Sequence, residues 1–87
     1  MLIPINNDIE LNYGQLTKIL KSIGYKNTGR LEGSLIYKHA KSNSVILLRH
    51  TRNNEVLRKI IVAAVLRNIV YSNAASEKKV KALMEQV

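Results

Sequence analysis

His39 and His50 are the only side chains in this 87-residue chain whose unperturbed pKa lies near neutrality, because there is no cysteine. An imidazole can take a proton from an attacking hydroxyl and return one to a leaving oxygen, so these two residues are the candidates for acid–base chemistry. Other catalytic apparatus is absent. No His/Cys/Asp/Glu spacing suits a metal, no glycine-rich loop suits a nucleotide phosphate, and no serine stands in a nucleophile elbow. The serines are scattered among turns and caps, where local hydrogen bonding accounts for them. The reading therefore calls for no cofactor and no metal.

The other chemistry on offer is cationic. The net charge is +8, and residues 15–67 hold eleven of the fourteen basic side chains with only Glu32 and Glu55 as acids. The first fourteen residues hold two acids and no base. A body this small with such a field attracts polyanions, so nucleic acid or an acidic protein is the expected partner. Lys38, Arg49, Arg52, Arg58 and Lys59 group in sequence around a hairpin and the start of a helix, and are the expected phosphate contacts. Tyr37 is the candidate for stacking on a base. No apolar run approaches the roughly 18–20 residues that cross a bilayer, and Met1-Leu2-Ile3-Pro4 lacks the basic flank and apolar core of a signal peptide. A cytoplasmic protein without membrane contact is expected.

The elements that must position these residues follow from periodicity. Residues 1–11 read as an extended leader, with Pro4 arguing against a central strand. Asn12 is an N-cap, Tyr13, Leu16, Ile19, Leu20 and Ile23 fall on one helical face, and Gly24 suits a left-handed C-cap. Strands are predicted over 25–31, where Gly29 weakens the strand or marks a bulge, then 34–40 and 44–50, the last two joined by the turn Lys41-Ser42-Asn43. A three-residue connection sets Ala40 against Ser44. Leu35 then faces Arg49, Tyr37 faces Leu47, and His39 faces Val45 on one side. Ser34, Ile36, Lys38, Ile46, Leu48 and His50 lie on the other. Neither side is cleanly polar in that register, so a cover for the second side is expected. His50 falls beside Ser34, on the opposite face from His39.

A second helix is predicted from about Glu55 to Val70, after the polar loop Thr51–Asn54. Its centre, Ile60 to Leu66, is apolar nearly all round, which suggests a face shared with a partner or a second copy. A last helix over 73–87, capped by Asn73 or Ser76, carries a stripe of Val80, Leu83, Met84 and Val87. The expectation is one α+β domain over 1–87, with a core at 12–70, in the order helix, three antiparallel strands, helix, helix.

Several strings in this core resemble a known family. They are Leu-Lys-Ser-Ile-Gly-Tyr at 20–25, Glu32-Gly33-Ser34, Ile36-Tyr37-Lys38-His39, Val45-Ile46-Leu47-Leu48, and a helix introduced by Glu55. Over residues 12–70 the chain resembles the HicA family of toxin–antitoxin mRNA interferases. The resemblance implies a fold of the double-stranded-RNA-binding-domain type, a metal-independent endoribonuclease activity, RNA as ligand with Ser34 near it, and a cognate antitoxin as partner. Two departures stand out. Leu35 occupies the place where the family has a histidine after Gly-Ser, and Ile60-Ile61-Val62-Ala63 replaces the family's Gly-Thr-Leu-Arg lead into the second helix. Leucine cannot transfer a proton, and losing such a group forfeits about 10²–10⁴-fold in rate. The sequence therefore points to an RNA-binding relative with impaired catalysis, in which His50 or His39 would have to substitute. The alternative is a non-catalytic interaction module that forms a homo- or hetero-oligomer.

Overall fold

The computed structural model describes residues 9–87. The predicted leader falls largely outside them. The chain is α+β, in the order α1 (Tyr13–Ile23), β1 (Lys26–Leu31), β2 (Ser34–His39), β3 (Ser44–Arg49), α2 (Lys59–Tyr71) and α3 (Glu77–Gln86). The strands form one antiparallel sheet in the order β1-β2-β3. All three helices pack on one side of it, around Leu16, Ile19, Leu20, Tyr25, Val62, Leu66, Ile69 and Val80, which are almost wholly buried.

Helix α1 begins where its capping residues dictate. The Asn12 side chain accepts from the Gln15 N–H (2.8 Å), and the Gln15 side chain accepts from the Asn12 N–H (2.9 Å), a reciprocal capping box. It ends at Gly24, whose φ of 116° is left-handed, and the Gly24 and Tyr25 N–H groups both donate to the Leu20 carbonyl. Strands β1 and β2 meet through Glu32 and Gly33, both at positive φ, as a two-residue hairpin turn requires. Of the two readings of Gly29 the bulge is the one present, between Asn27 and Gly29.

The β2–β3 register differs from the expected one by a single residue. The closing pair is His39 with Ser44, so the connection is the four residues Ala40–Asn43, with Asn43 at φ 59°. Leu35 pairs with Leu48, and Tyr37 with Ile46. A one-residue slip exchanges the faces of a strand. Leu35, Tyr37, His39, Ser44, Ile46 and Leu48 therefore all point toward the helices and are buried, while Lys38, Val45, Leu47 and Arg49 point away and are exposed. Ser44 anchors this choice. Its hydroxyl accepts from the Tyr25 hydroxyl (2.7 Å) and donates to Asn68 Oδ1 of α2 (2.8 Å), so it sits inside, where the expected register had placed Val45.

Helix α2 starts at Lys59, four residues later than predicted. Residues 52–55 make a tight turn closed by the Glu55 N–H on Arg52 O (3.1 Å), and Val56 and Leu57 then run extended beside the start of α1. The Tyr13 and Gly14 N–H groups donate to the carbonyls of Glu55 and Asn53 (both 2.9 Å), Leu57 N–H donates to Leu11 O (3.0 Å), and Asn12 bridges Val56. These bonds satisfy donors at the first turn of α1 and hold the segment out of helical geometry. Arg58 is the N-cap, and its side chain makes no capping bond. The apolar centre of α2 divides between two environments. Val62, Ala63, Val65, Leu66 and Ile69 are buried, whereas Ile60, Ile61, Ala64 and Tyr71 are exposed. Ser76, not Asn73, caps α3, accepting from the Lys79 N–H (3.1 Å).

Candidate nucleic-acid interface

The β2–β3 hairpin carries the two histidines to its opposite ends. His39 closes the turn opposite Ser44, and His50 lies six residues beyond Ser44, which is about 20 Å along an extended strand. They cannot act as an acid–base pair on one phosphate.

His39 is buried and held as a turn clamp. Its Nδ1 receives the Ser42 backbone N–H (3.2 Å) and the Ser42 hydroxyl (2.9 Å), and its ring tilts against Tyr25 with centroids 5.1 Å apart. A backbone N–H aimed at Nδ1 requires a lone pair there, so the neutral ring carries its proton on Nε2. Protonating Nδ1 would cost the bond from the Ser42 N–H, leaving Ser42 Oγ as its partner. The Nε2 edge lies 3.6 Å from where a Cβ on Gly24 would sit, an ordinary contact, so the glycine is there for the left-handed cap and not for space. This arrangement suits a structural acceptor and is poorly suited to a proton shuttle.

His50 is exposed. Its backbone N–H donates to Gly33 O (3.2 Å), which keeps it beside Gly33 and Ser34 as expected, although Ser34 itself pairs with Arg49. Its ring meets Tyr13 of α1 edge-on, with centroids 5.9 Å apart and planes at 88°. It thus lies on the helix side of the sheet, the same side as His39 and not the opposite one. Among the two imidazoles it is the one open to solvent.

Two other expected site residues belong to the core. Leu35 is buried on the inner face, so the position that resembles a catalytic histidine's is filled by a packing leucine. Tyr37 is also buried and offers no face to a base. Desolvation, aided by the neighbouring Tyr13 phenol, pushes its hydroxyl up to about 12. Ser34 is half-buried on the outer face, beside Arg49.

The cations form two groups, not one. Lys38 lies toward the turn end of the outer face, paired across the sheet with Lys26, and the two line a cavity of about 330 Å³ with Gly24, Thr28, Ala40 and Asn43. Lys26 went unnoticed in the sequence because the bulge at 27–29 moves it one place along β1 into register with Lys38. Arg49 is at the other end of the face, roughly 13 Å away along the strand. There Arg49 and Arg58 line one groove of about 210 Å³, whose floor and walls include Thr51, Val56, Leu57 and Ile61 and whose one acid is Glu55. Lys59 opens α2 next to it, and α2 has no acid in its first turn, so the positive end of the helix dipole adds to this potential. Arg52 is nearby in sequence and touches Glu55 at 3.8 Å, an exposed contact that adds little.

Among the described residues no three His, Cys, Asp or Glu side chains group as metal ligands, and no helix is long and apolar enough to cross a membrane. Comparison with protein-family models, with curated proteins and with solved structures gave no match for this chain.

Proposed function

We propose that the chain is a cytoplasmic RNA-binding protein of the HicA type that grips the phosphate backbone at the β3–α2 end of the sheet and has little or no capacity to cleave it. The observation that carries this reading is the groove shared by Arg49 and Arg58, with Lys59 at its edge and Arg52 nearby. Guanidinium groups are suited to bidentate contact with phosphate oxygens, and duplex RNA is read largely by shape through phosphates and 2′-hydroxyls. Such recognition needs no base-reading residue, which agrees with the burial of Tyr37.

Impaired catalysis follows from three placements. Leu35 packs in the core, His39 is committed to its turn through Nδ1, and His50 stands alone, roughly 20 Å from the other imidazole. His50 follows Arg49 in the chain, but its ring lies on the helix side against Tyr13 while Arg49 points away from the helices, so a phosphodiester held by Arg49 is not presented to the imidazole. The test is incubation of a labelled structured mRNA with the protein in EDTA at pH 7. Retention of intact RNA is expected, weakened by an Arg49→Ala/Arg58→Ala double variant. Rapid metal-independent cleavage abolished by His50→Ala would overturn the impaired-catalysis part, and failure to retain RNA would overturn the whole.

A further inference from the structure

The outer face of the sheet carries apolar surface that the fold does not use. The register sets three rows across it: Lys26, Lys38 and Val45; Gly29, Ile36 and Leu47; Leu31, Ser34 and Arg49. Leu31, Val45 and Leu47 are 54%, 49% and 53% exposed, although the inner face supplies all the core the strands need. Gly29 has no side chain to shield Ile36, and a Cβ there would lie 3.9 Å from Ile36 Cδ1. The aliphatic residues therefore form a diagonal band, from Val45 and Leu47 on β3, through Ile36 on β2, to Leu31 on β1. Cations hold the two remaining corners, Lys26 with Lys38 on one side of the band and Arg49 on the other. No acid stands in any of the three rows; Glu32 lies in the turn beyond Leu31.

The dimensions of this pattern fit one kind of occupant. The band spans two strand spacings across and four residues along, about 16 Å corner to corner. At about 1.5 Å per residue that is some eleven residues of helix, or three turns. We propose that the outer sheet face docks an acidic amphipathic helix of a partner protein, with its aliphatic stripe along the Val45–Leu47–Ile36–Leu31 diagonal. Its carboxylates meet Lys26 and Lys38 on one shoulder and Arg49 on the other. A second copy of this chain fits poorly, since each carries +8 and would bring like charges together. RNA fits poorly as well, because the centre of the face offers aliphatic side chains where single-stranded recognition uses aromatic ones. The inference does not rest on RNA binding by the Arg49–Arg58 groove; Arg49 alone is common to the two surfaces.

A synthetic helical peptide of about four turns, with leucines on one stripe and glutamates on both shoulders, provides the probe. Added to isotopically labelled protein, it is expected to shift the amides of Leu31, Ile36, Val45 and Leu47. Leu47→Asp is expected to weaken binding about tenfold or more, as loss of a central apolar anchor does, with the melting temperature little changed because the side chain is already exposed. Lys26→Glu with Lys38→Glu is expected to weaken it several-fold. Equal binding by a peptide of the same composition with scrambled leucines would overturn the proposal by showing charge attraction alone. So would an RNA hairpin moving these four amides while the peptide does not, or a Leu47→Asp effect confined to self-association in the ultracentrifuge.

Discussion

Replacing Ser44 with alanine tests the register of the hairpin and the network that fixes it. The Ser44 hydroxyl accepts from Tyr25 Oη (2.7 Å) and donates to Asn68 Oδ1 (2.8 Å). Tyr25 is only 2% exposed, whereas Asn68 is exposed and can turn to water. The cost is therefore dominated by the Tyr25 hydroxyl, left as a buried donor without an acceptor, which is about 1–3 kcal/mol. Tyr25→Phe removes the same hydrogen bond but leaves no orphan donor on the ring, so about 1 kcal/mol is expected from it. With both changes the orphan disappears, and the double variant should cost about the same as Ser44→Ala alone, a coupling of about 1 kcal/mol between the two sites. Thermal unfolding followed by circular dichroism reads this directly, because about 2 kcal/mol in a domain this size moves Tm by roughly 8–16 °C. A Ser44→Ala protein within about 0.5 kcal/mol of the parent, or strictly additive costs, would refute the argument. Either result would mean that Ser44 does not anchor β3 and that the register rests on something else.

Other expectations follow from the same geometry. Gly14→Ala should destabilise by about 1–3 kcal/mol, because a Cβ there would lie 3.1 Å from Asn53 O and 3.2 Å from Asn53 Cβ, where the turn at Asn53 and Asn54 meets α1; urea unfolding checks it. Gly24→Ala, at φ 116°, should cost about 1–2 kcal/mol through left-handed strain, read by the same method. Tyr37 is raised from 10.0 to about 12 in the folded protein, so between those pH values the native state holds a proton that the unfolded chain has lost. Stability from this group is complete below pH 10 and is lost as pH rises toward 12, on the order of 2 kcal/mol in all. Tyr37→Phe should flatten that alkaline limb of a Tm-against-pH profile.

The sequence revealed local features and missed those set by distant partners. Helix α1 was legible from Asn12 to Gly24 because its caps and apolar spacing all lie within the segment. The bulge at Gly29 and the order of elements were legible for the same reason. The register was not. Val45 to Leu48 is four aliphatic residues in succession, so alternation cannot say which pair turns inward. The deciding group is Ser44, through bonds to residues 19 and 24 positions away. The start of α2 was hidden likewise, since the turn at Asn53 and Asn54 and the extended Val56 and Leu57 are held by backbone bonds to Leu11, Tyr13 and Gly14, some forty residues earlier. These two misreadings displaced the candidate site. The slipped register put His50 on the wrong side and left the outer face looking like half a core. The number and types of the cations were plain from the start, but only the pairing of strands separates Lys26 and Lys38 from Arg49 and Arg58.

The central claim, phosphate recognition by the Arg49–Arg58 groove, is tested most directly by the salt dependence of binding to an RNA hairpin. Each phosphate contact contributes a slope of about −0.7 to −0.9 to log K against log salt. Three or four contacts from Arg49, Arg58, Lys59 and Arg52 should give a slope of about −3. Arg49→Ala/Arg58→Ala should reduce its magnitude by about 1.5, whereas Lys26→Ala/Lys38→Ala should leave it unchanged. No measurable binding, or a slope that the Arg49/Arg58 change does not alter, would contradict the account.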